Sequence, residues 1–366
     1  MMGYRDLALF DMILFQLVNH MKGDRSKTGI IRILKGSLAK QTLQDIHFYH
    51  IEPYYGQFSM IDESEINDRI GHFIQEGYFR INDKWLVLEQ KGIDYLKRII
   101  EKNRGKTWIF HTNLVIHKNR KEQFWKRLVL VIQSLSYLSH QNNRFIPAVP
   151  DMEIKEWVKG YLKPQQKQRL LKITKQLHQE LNWIKDNIEP IDQQILLLRM
   201  HGEHRSALTW RQLESSLEMS IIEVKLRFSL ILYTLFFTVC KEKEKYPILT
   251  ALFSLDNHIT TLSKSTQYTS QLLKRGMALE QIAHKRGLTI GTIYDHIVEI
   301  ILEIPLSIHL NNYIEEWKID EIKKWYKQMN SYRLSDYKEL LDERITYQDL
   351  RLVLSYYHVN ESDSLC

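Results

Sequence analysis

Cysteine is nearly absent from this sequence, which has only Cys240 and the C-terminal Cys366. Neither a disulfide framework nor a paired-cysteine metal site can be built from two such residues, and a reducing cytosol is the expected compartment. Glycine and proline are scarce too, at 14 and 7 of 366 residues, which disfavours a large β-sandwich or a long disordered region. No apolar run is long enough to span a bilayer: residues 7–18 are interrupted by Asp11, and FSLILYTLFFTV (228–239) is too short. A phosphate-cradling loop is missing as well. GDRSKTG (23–29) has its Lys27-Thr28 pair but no glycine before the lysine. The histidines of HFYH (47–50), of HGEH (201–204), and His111 with His117 find no third ligand at metal spacing nearby. No nucleophile–base pair stands out either. The expectation is a protein without catalytic residues, cofactor, metal or membrane contact.

Leucine, isoleucine, lysine, glutamate and glutamine dominate, so the chain is expected to be mainly α, in two or three modules. The net charge of +7 is uneven, with the positive excess in the middle and an acidic excess from residue 266 onward. A basic middle suits a polyanion such as nucleic acid, although ordinary surfaces carry such an excess too.

DESEINDRIGHFIQEGYF opens at Asp62 as a helix N-cap, places Ile66, Ile70, Phe73 and Ile74 on one stripe, and stops at Gly77. Two β-rich runs follow in YFRINDKWLVLEQKG around an Asn82-Asp83 turn. A helix running into a hairpin is how a winged helix ends. In residues 106–128 cations alternate with Trp108, Phe124 and Trp125. Two readings stand for this stretch: a surface that stacks single-stranded bases beside phosphate contacts, or an amphipathic helix with a solvated basic face and aromatics turned inward. FIPAVPD (145–151) is the best linker candidate. Beyond it, Pro164 suits the start of a helix whose buried face is Leu170, Ile173, Leu177, Leu181 and Ile184.

Residues 208–231 and 278–300 align without a gap when Leu213 is set against Ile282. Each proposes a short helix, a tight turn and a longer helix packing back on the first. The second copy, LEQIAHKRGLTIGTIYDHI, has the pattern of a helix-turn-helix, with Gly287 in the turn and Ile293, Ile297, Ile300 and Ile304 as its buried stripe until Pro305. The first has Glu218 in place of the glycine, and its second helix is apolar on every side, which marks a buried helix. A DNA reader needs cations, yet no Lys or Arg occurs from residue 287 to residue 317. The face opposite the stripe carries Gly291, Asp295, Val298, Glu299 and Leu302, which is expected to meet a protein partner; Lys285 and Arg286 remain as possible backbone contacts.

Residues 31–92, with Leu34–Ser37, Tyr55-Gly56 and FIQEGYF, resemble the winged-helix part of the C-terminal domain of RecQ-type DNA helicases. Residues 268–358 resemble the helix-turn-helix domain at the C-terminus of some such helicases. The order of parts resembles the bacterial YpbB family of helix-turn-helix proteins. Motor and zinc-binding cysteines are absent, so the resemblance implies a non-catalytic, sequence-independent DNA-binding companion. Its partner would be a RecQ-type helicase lacking its own C-terminal DNA-binding domain, acting in repair or recombination. By position, the resemblance implies that Lys35, Ser37 and Lys40 contact phosphates. It also implies that Lys84 and Trp85 stand near the wing tip, Trp85 either on DNA or packed beneath the wing. The basic stretch adds Lys118, Arg120, Lys121, Lys126 and Arg127.

The expected organisation is a winged helix over 1–105, a basic helical middle with a degenerate helix-turn-helix over 106–265, and a helix-turn-helix domain over 266–366. A cytoplasmic, nucleoid-associated location follows. A transcriptional regulator at a specific operator and a scaffold that binds only proteins are the alternatives.

Overall fold

In this computed structural model, the described residues are 8–102, 118–142, 144–162, 167–186, 188–253, 262–304, 308–329 and 331–362. Among them are eighteen α-helices and one two-stranded antiparallel hairpin, a mainly α fold with a small β wing. Trp108, His111, His117, Pro164 and Pro305 lie outside the described residues, as do the side chains of Lys118 and Ile184.

The first core is built by α1 (Ala8–Met21), α2 (Lys27–Lys35), α3 (Lys40–Phe48), α4 (Glu63–Gln75), the strands β1 (Phe79–Asn82) and β2 (Trp85–Leu88), and α5 (Gln90–Lys102). Helix α1 is apolar almost all round and is buried almost all round. Its one carboxylate, Asp11, accepts from Arg69 Nε and Nη2 at 2.9 and 2.6 Å and from the Tyr95 hydroxyl at 2.9 Å. Burial still pushes the Asp11 pKa up, against the pull of Arg69. Ser26 caps α2 by accepting from the Gly29 amide, and Gly36 ends it in the left-handed region at φ 70°. A Cβ at Gly36 would lie 3.0 Å from the Gly56 Cα, so glycine is required twice over at this crossing. Helix α4 runs into the wing, whose register pairs Asn82 with Trp85. The turn is therefore Asp83-Lys84, one residue later than expected, with Asp83 at φ 56°.

The second core comprises α6 (Lys118–Ser139), α7 (Met152–Leu162), α8 (Lys167–Lys185), α9 (Pro190–Leu198), α10 (Trp210–Leu217), α11 (Ile221–Lys241) and α12 (Pro247–Phe253). Helix α11 is apolar on every side because two cores share it. Val224, Phe228, Ile231 and Leu235 face the second core, while Leu226 and Leu230 complete the first. In α8, Ile173 and Leu177 are buried as expected, and Leu170 and Leu181 are half-buried.

The third core comprises α13 (Lys264–Lys274), α14 (Leu279–Arg286), α15 (Ile290–Glu303), α16 (Glu316–Tyr326), α17 (Leu334–Lys338) and α18 (Tyr347–Ser362). The internal echo is structural. Leu213 and Ile282 are both fully buried, and the turn residues Glu218 and Gly287 are both left-handed, at φ 49° and 61°. Glutamate holds the conformation that glycine takes freely, a strain of about 1–2 kcal/mol by itself.

Candidate nucleic-acid interface

The stripe of α15 packs as its sequence demands: Ile293, Ile297 and Ile300 are buried against α13, α14 and α18. Its opposite face does not stand free, which corrects the expectation of an open partner surface. Val298 and Leu302 are buried. Asp295 accepts from Lys40 of α3 and from Arg351 Nη1 of α18 at 3.1 Å. Glu299 closes on the start of α13, accepting from the Ser263 amide, from Ser263 Oγ at 3.3 Å and from Thr266 Oγ1 at 2.6 Å. A carboxylate there also complements the positive end of that helix. Gly291 is half-buried and sits where a Cβ would meet Gln348 Nε2 at 2.7 Å. The acidic helix thus finds its cations within its own chain. The contact is reinforced by Gln44 donating to Ser355 Oγ at 3.3 Å, by His358 against the His47 carbonyl at 3.1 Å, and by Phe48 seated in the third core.

Most cations expected at phosphates are engaged internally. Lys35 Nζ donates to the Ser59 and Ile61 carbonyls, Ser37 Oγ accepts from the Ala39 amide at 3.2 Å, and Lys40 serves Asp295. Lys121 and Arg127 point into the second core, both 4% exposed. Arg127 donates to the Leu252 carbonyl at 3.3 Å and lies over Trp157. Burial pushes the Lys121 ammonium down to about 8, and Ser229 Oγ at 3.4 Å is a weak partner for it. Arg120 is half-buried, with its pKa also lowered by burial. Lys126 pairs with Glu122 and Asp151 at 2.7 and 3.5 Å. Phe124 stacks on Phe253 and Trp125 meets Phe228 edge-on. In the described part of this stretch, residues 118–128, Phe124 and Trp125 turn inward against α11 and α12, while burial of Lys121 and Arg127 corrects the expected solvated basic face.

The wing is different. Lys84 is exposed, with its ammonium 4.6 Å from the Trp85 ring centre, and the Arg333 guanidinium lies 5.4 Å from the same ring. Trp85 is half-buried and lines a cleft of about 610 Å³ between the wing and the third core. Arg25, Arg333 and Arg351 also line it, as do Thr289, Gly291 and Thr292 at the start of α15. Each guanidinium is oriented by a carboxylate: Arg25 by Asp45, Arg333 by Asp24 and Asp336, and Arg351 by Asp295. Thr289 caps α15 by accepting from the Thr292 amide at 3.1 Å, and Ile290 is exposed beside it. Arg25 is buried and spent on Asp45, so the partly exposed Arg333 and Arg351 with Lys84 are the cations that phosphate oxygens could reach, and an indole face suits a base. Of the two cations ending α14, Lys285 is exposed, while Arg286 donates to the Ser265 carbonyl and Oγ, each at 2.8 Å. Burial, with Arg286 nearby, pushes His296 down to about 4. Sequence reasoning missed Arg25, Arg333 and Arg351 because only the fold brings α18 and the segment before α17 to the wing.

Residues 265–354 match the family described as a helix-turn-helix domain, which points to DNA binding. The chain is 26% identical over 354 residues to Protein YpbB of Bacillus subtilis (strain 168), covering 95% of this chain and 97% of that protein. No solved structure matches. Among the described residues, no helix is long and apolar enough to cross a membrane.

Proposed function

We propose that the protein is a non-catalytic DNA-binding accessory protein that works beside a RecQ-type helicase in DNA repair or recombination. The observation that carries the DNA half is the convergence of two DNA-binding devices, the wing and the start of the helix-turn-helix's second helix, on one arginine-lined cleft. Helix-turn-helix proteins contact DNA through the first residues of that helix, and here Thr289 and Ile290 are exposed while Asp295 and Glu299 further along are engaged within the chain. The helicase half is supported by the resemblance of residues 31–92. Because the outer face of α15 is covered, the helicase docks elsewhere on the surface.

Binding should be independent of sequence and steeply salt-dependent. Lys84→Glu and Arg333→Gln should each lower the slope of log affinity against log salt by about one unit per lost phosphate contact. Unchanged slopes in both variants would remove the cleft from the DNA path. A sharp footprint at one operator would favour the regulator reading, for which the exposed Thr289 and Ile290 are the supporting observation. The purified protein should hydrolyse no ATP, and affinity purification from the native cell should recover the helicase. Recovery of proteins but no DNA binding would support the scaffold instead.

A further inference from the structure

The loop between α9 and α10 holds a side-chain cluster that DNA binding does not use. HGEH has too few ligands in the local sequence, but the fold supplies another from the turn after α6. His140 Nδ1 lies 2.7 Å from Glu203 Oε2, and His204 Nε2 lies 3.9 Å from the same oxygen. All three ligand atoms fall within 4.8 Å of one another. Glu203 Oε2 is shielded from solvent, and the His140 ring nitrogen beside it is shared with the Ser136 carbonyl at 2.9 Å. A carboxylate oxygen shielded from solvent between two imidazole nitrogens is a place where positive charge is favoured.

The site is also supported from behind. Asn142 Nδ2 donates to Glu203 Oε1 at 3.1 Å, and the Glu203 amide donates to Ser136 Oγ at 3.1 Å. Gly202 permits that approach, since a Cβ there would lie 3.2 Å from Ser136 Oγ. The reciprocal Gly202–Arg205 backbone bonds close the loop into a tight turn. Oriented ligands with a hydrogen-bonded carboxylate are the usual build of a metal site.

We propose that His140, Glu203 and His204 bind one divalent transition-metal ion, zinc by donor chemistry. Two neutral imidazoles and a carboxylate match zinc's preferences, and the ligand atoms need move only to the roughly 3.4 Å spacing of a tetrahedral site. His140 and His204 are exposed enough to turn, and a turn of the His140 ring exchanges its Ser136 bond for the ion. Three protein ligands leave a fourth position to water or another donor. The bound ion ties the loop preceding α10 to the end of α6.

The test is zinc titration of the full chain by calorimetry, with cobalt substitution as a spectroscopic probe of four-coordinate geometry. One ion per chain is expected, with visible cobalt bands. His140→Ala, His204→Ala and Glu203→Gln should abolish the high-affinity phase, and Asn142→Ala should weaken it roughly 10- to 100-fold. His178→Ala, at an exposed histidine on α8, should bind as the wild type does. Cobalt bands without tetrahedral character, or equal zinc binding in the His204→Ala and His178→Ala variants, would overturn the proposal.

Discussion

Replacing Asp295 with lysine strikes the contact that covers α15. Asp295, Lys40 and Arg351 are 22%, 38% and 25% exposed, so these ion pairs are neither fully screened nor fully buried. Pairs of this kind contribute about 0.2–1 kcal/mol each. Asp295→Ala, losing two, should therefore cost about 0.4–2 kcal/mol. Lysine adds repulsion with both cations. An unrelieved pair at 4 Å costs about 4 kcal/mol at an effective dielectric of 20 and about 1 kcal/mol in water. Half-exposed lysines swing away, so the lower figure applies to each, and the total is about 2–4 kcal/mol. At about 2 °C per kcal/mol for a chain of this size, Tm should fall by 4 °C or more. Scanning calorimetry at two ionic strengths reads this, and the deficit should shrink at about 1 M salt, where the screening length drops to roughly 3 Å. A Lys40→Asp, Asp295→Lys double variant should recover part of the loss. A single variant that melts as the wild type does, or a double variant no better than the single, would refute the reasoning.

Lys121→Met should raise Tm at pH 7. With the folded ammonium at about 8 and the open-chain value at 10.5, the unfolded chain holds the extra proton between these limits. Wild-type stability therefore rises with pH across that window, and the methionine's advantage should fade toward pH 10; a variant less stable at pH 7 would mean Lys121 has a partner that offsets its burial. Gly36→Ala should destabilise more than Gly287→Ala in urea unfolding. Both put alanine in the left-handed region at about 1–2 kcal/mol, but only Gly36 also faces a neighbouring backbone, while Gly287 faces open space. Equal losses would show that the Gly36–Gly56 crossing gives way freely.

Local elements were legible in the sequence where the signals were local. Helix α4 follows its Ile66/Ile70/Phe73 stripe, and α14 and α15 follow their isoleucines and Gly287. The apolar girth of α11 foretold a buried helix, although not that two cores divide it. Exposure was not legible. Asp295 and Glu299 read as a free acidic face because their partners, Lys40 and Thr266, arrive from other elements. Lys121 and Arg127 read as a solvated basic face because a helix's sequence does not reveal how many neighbours surround it. HGEH read as too few ligands because His140 joins it only through the fold.

The docking of α3 onto α15 and α18 also sets a timetable. Gln44 and Ser355 stand 311 residues apart, so α3 leaves the ribosome long before its cover exists. At roughly 5–20 residues per second, that interval is about 15–60 s. Throughout it Phe48, which ends up 2% exposed, has nothing to lean on but solvent or a chaperone. An early segment is finished by the last, so a chain halted before α15 displays a bare aromatic flank beside a Lys40 whose Asp295 is not yet made.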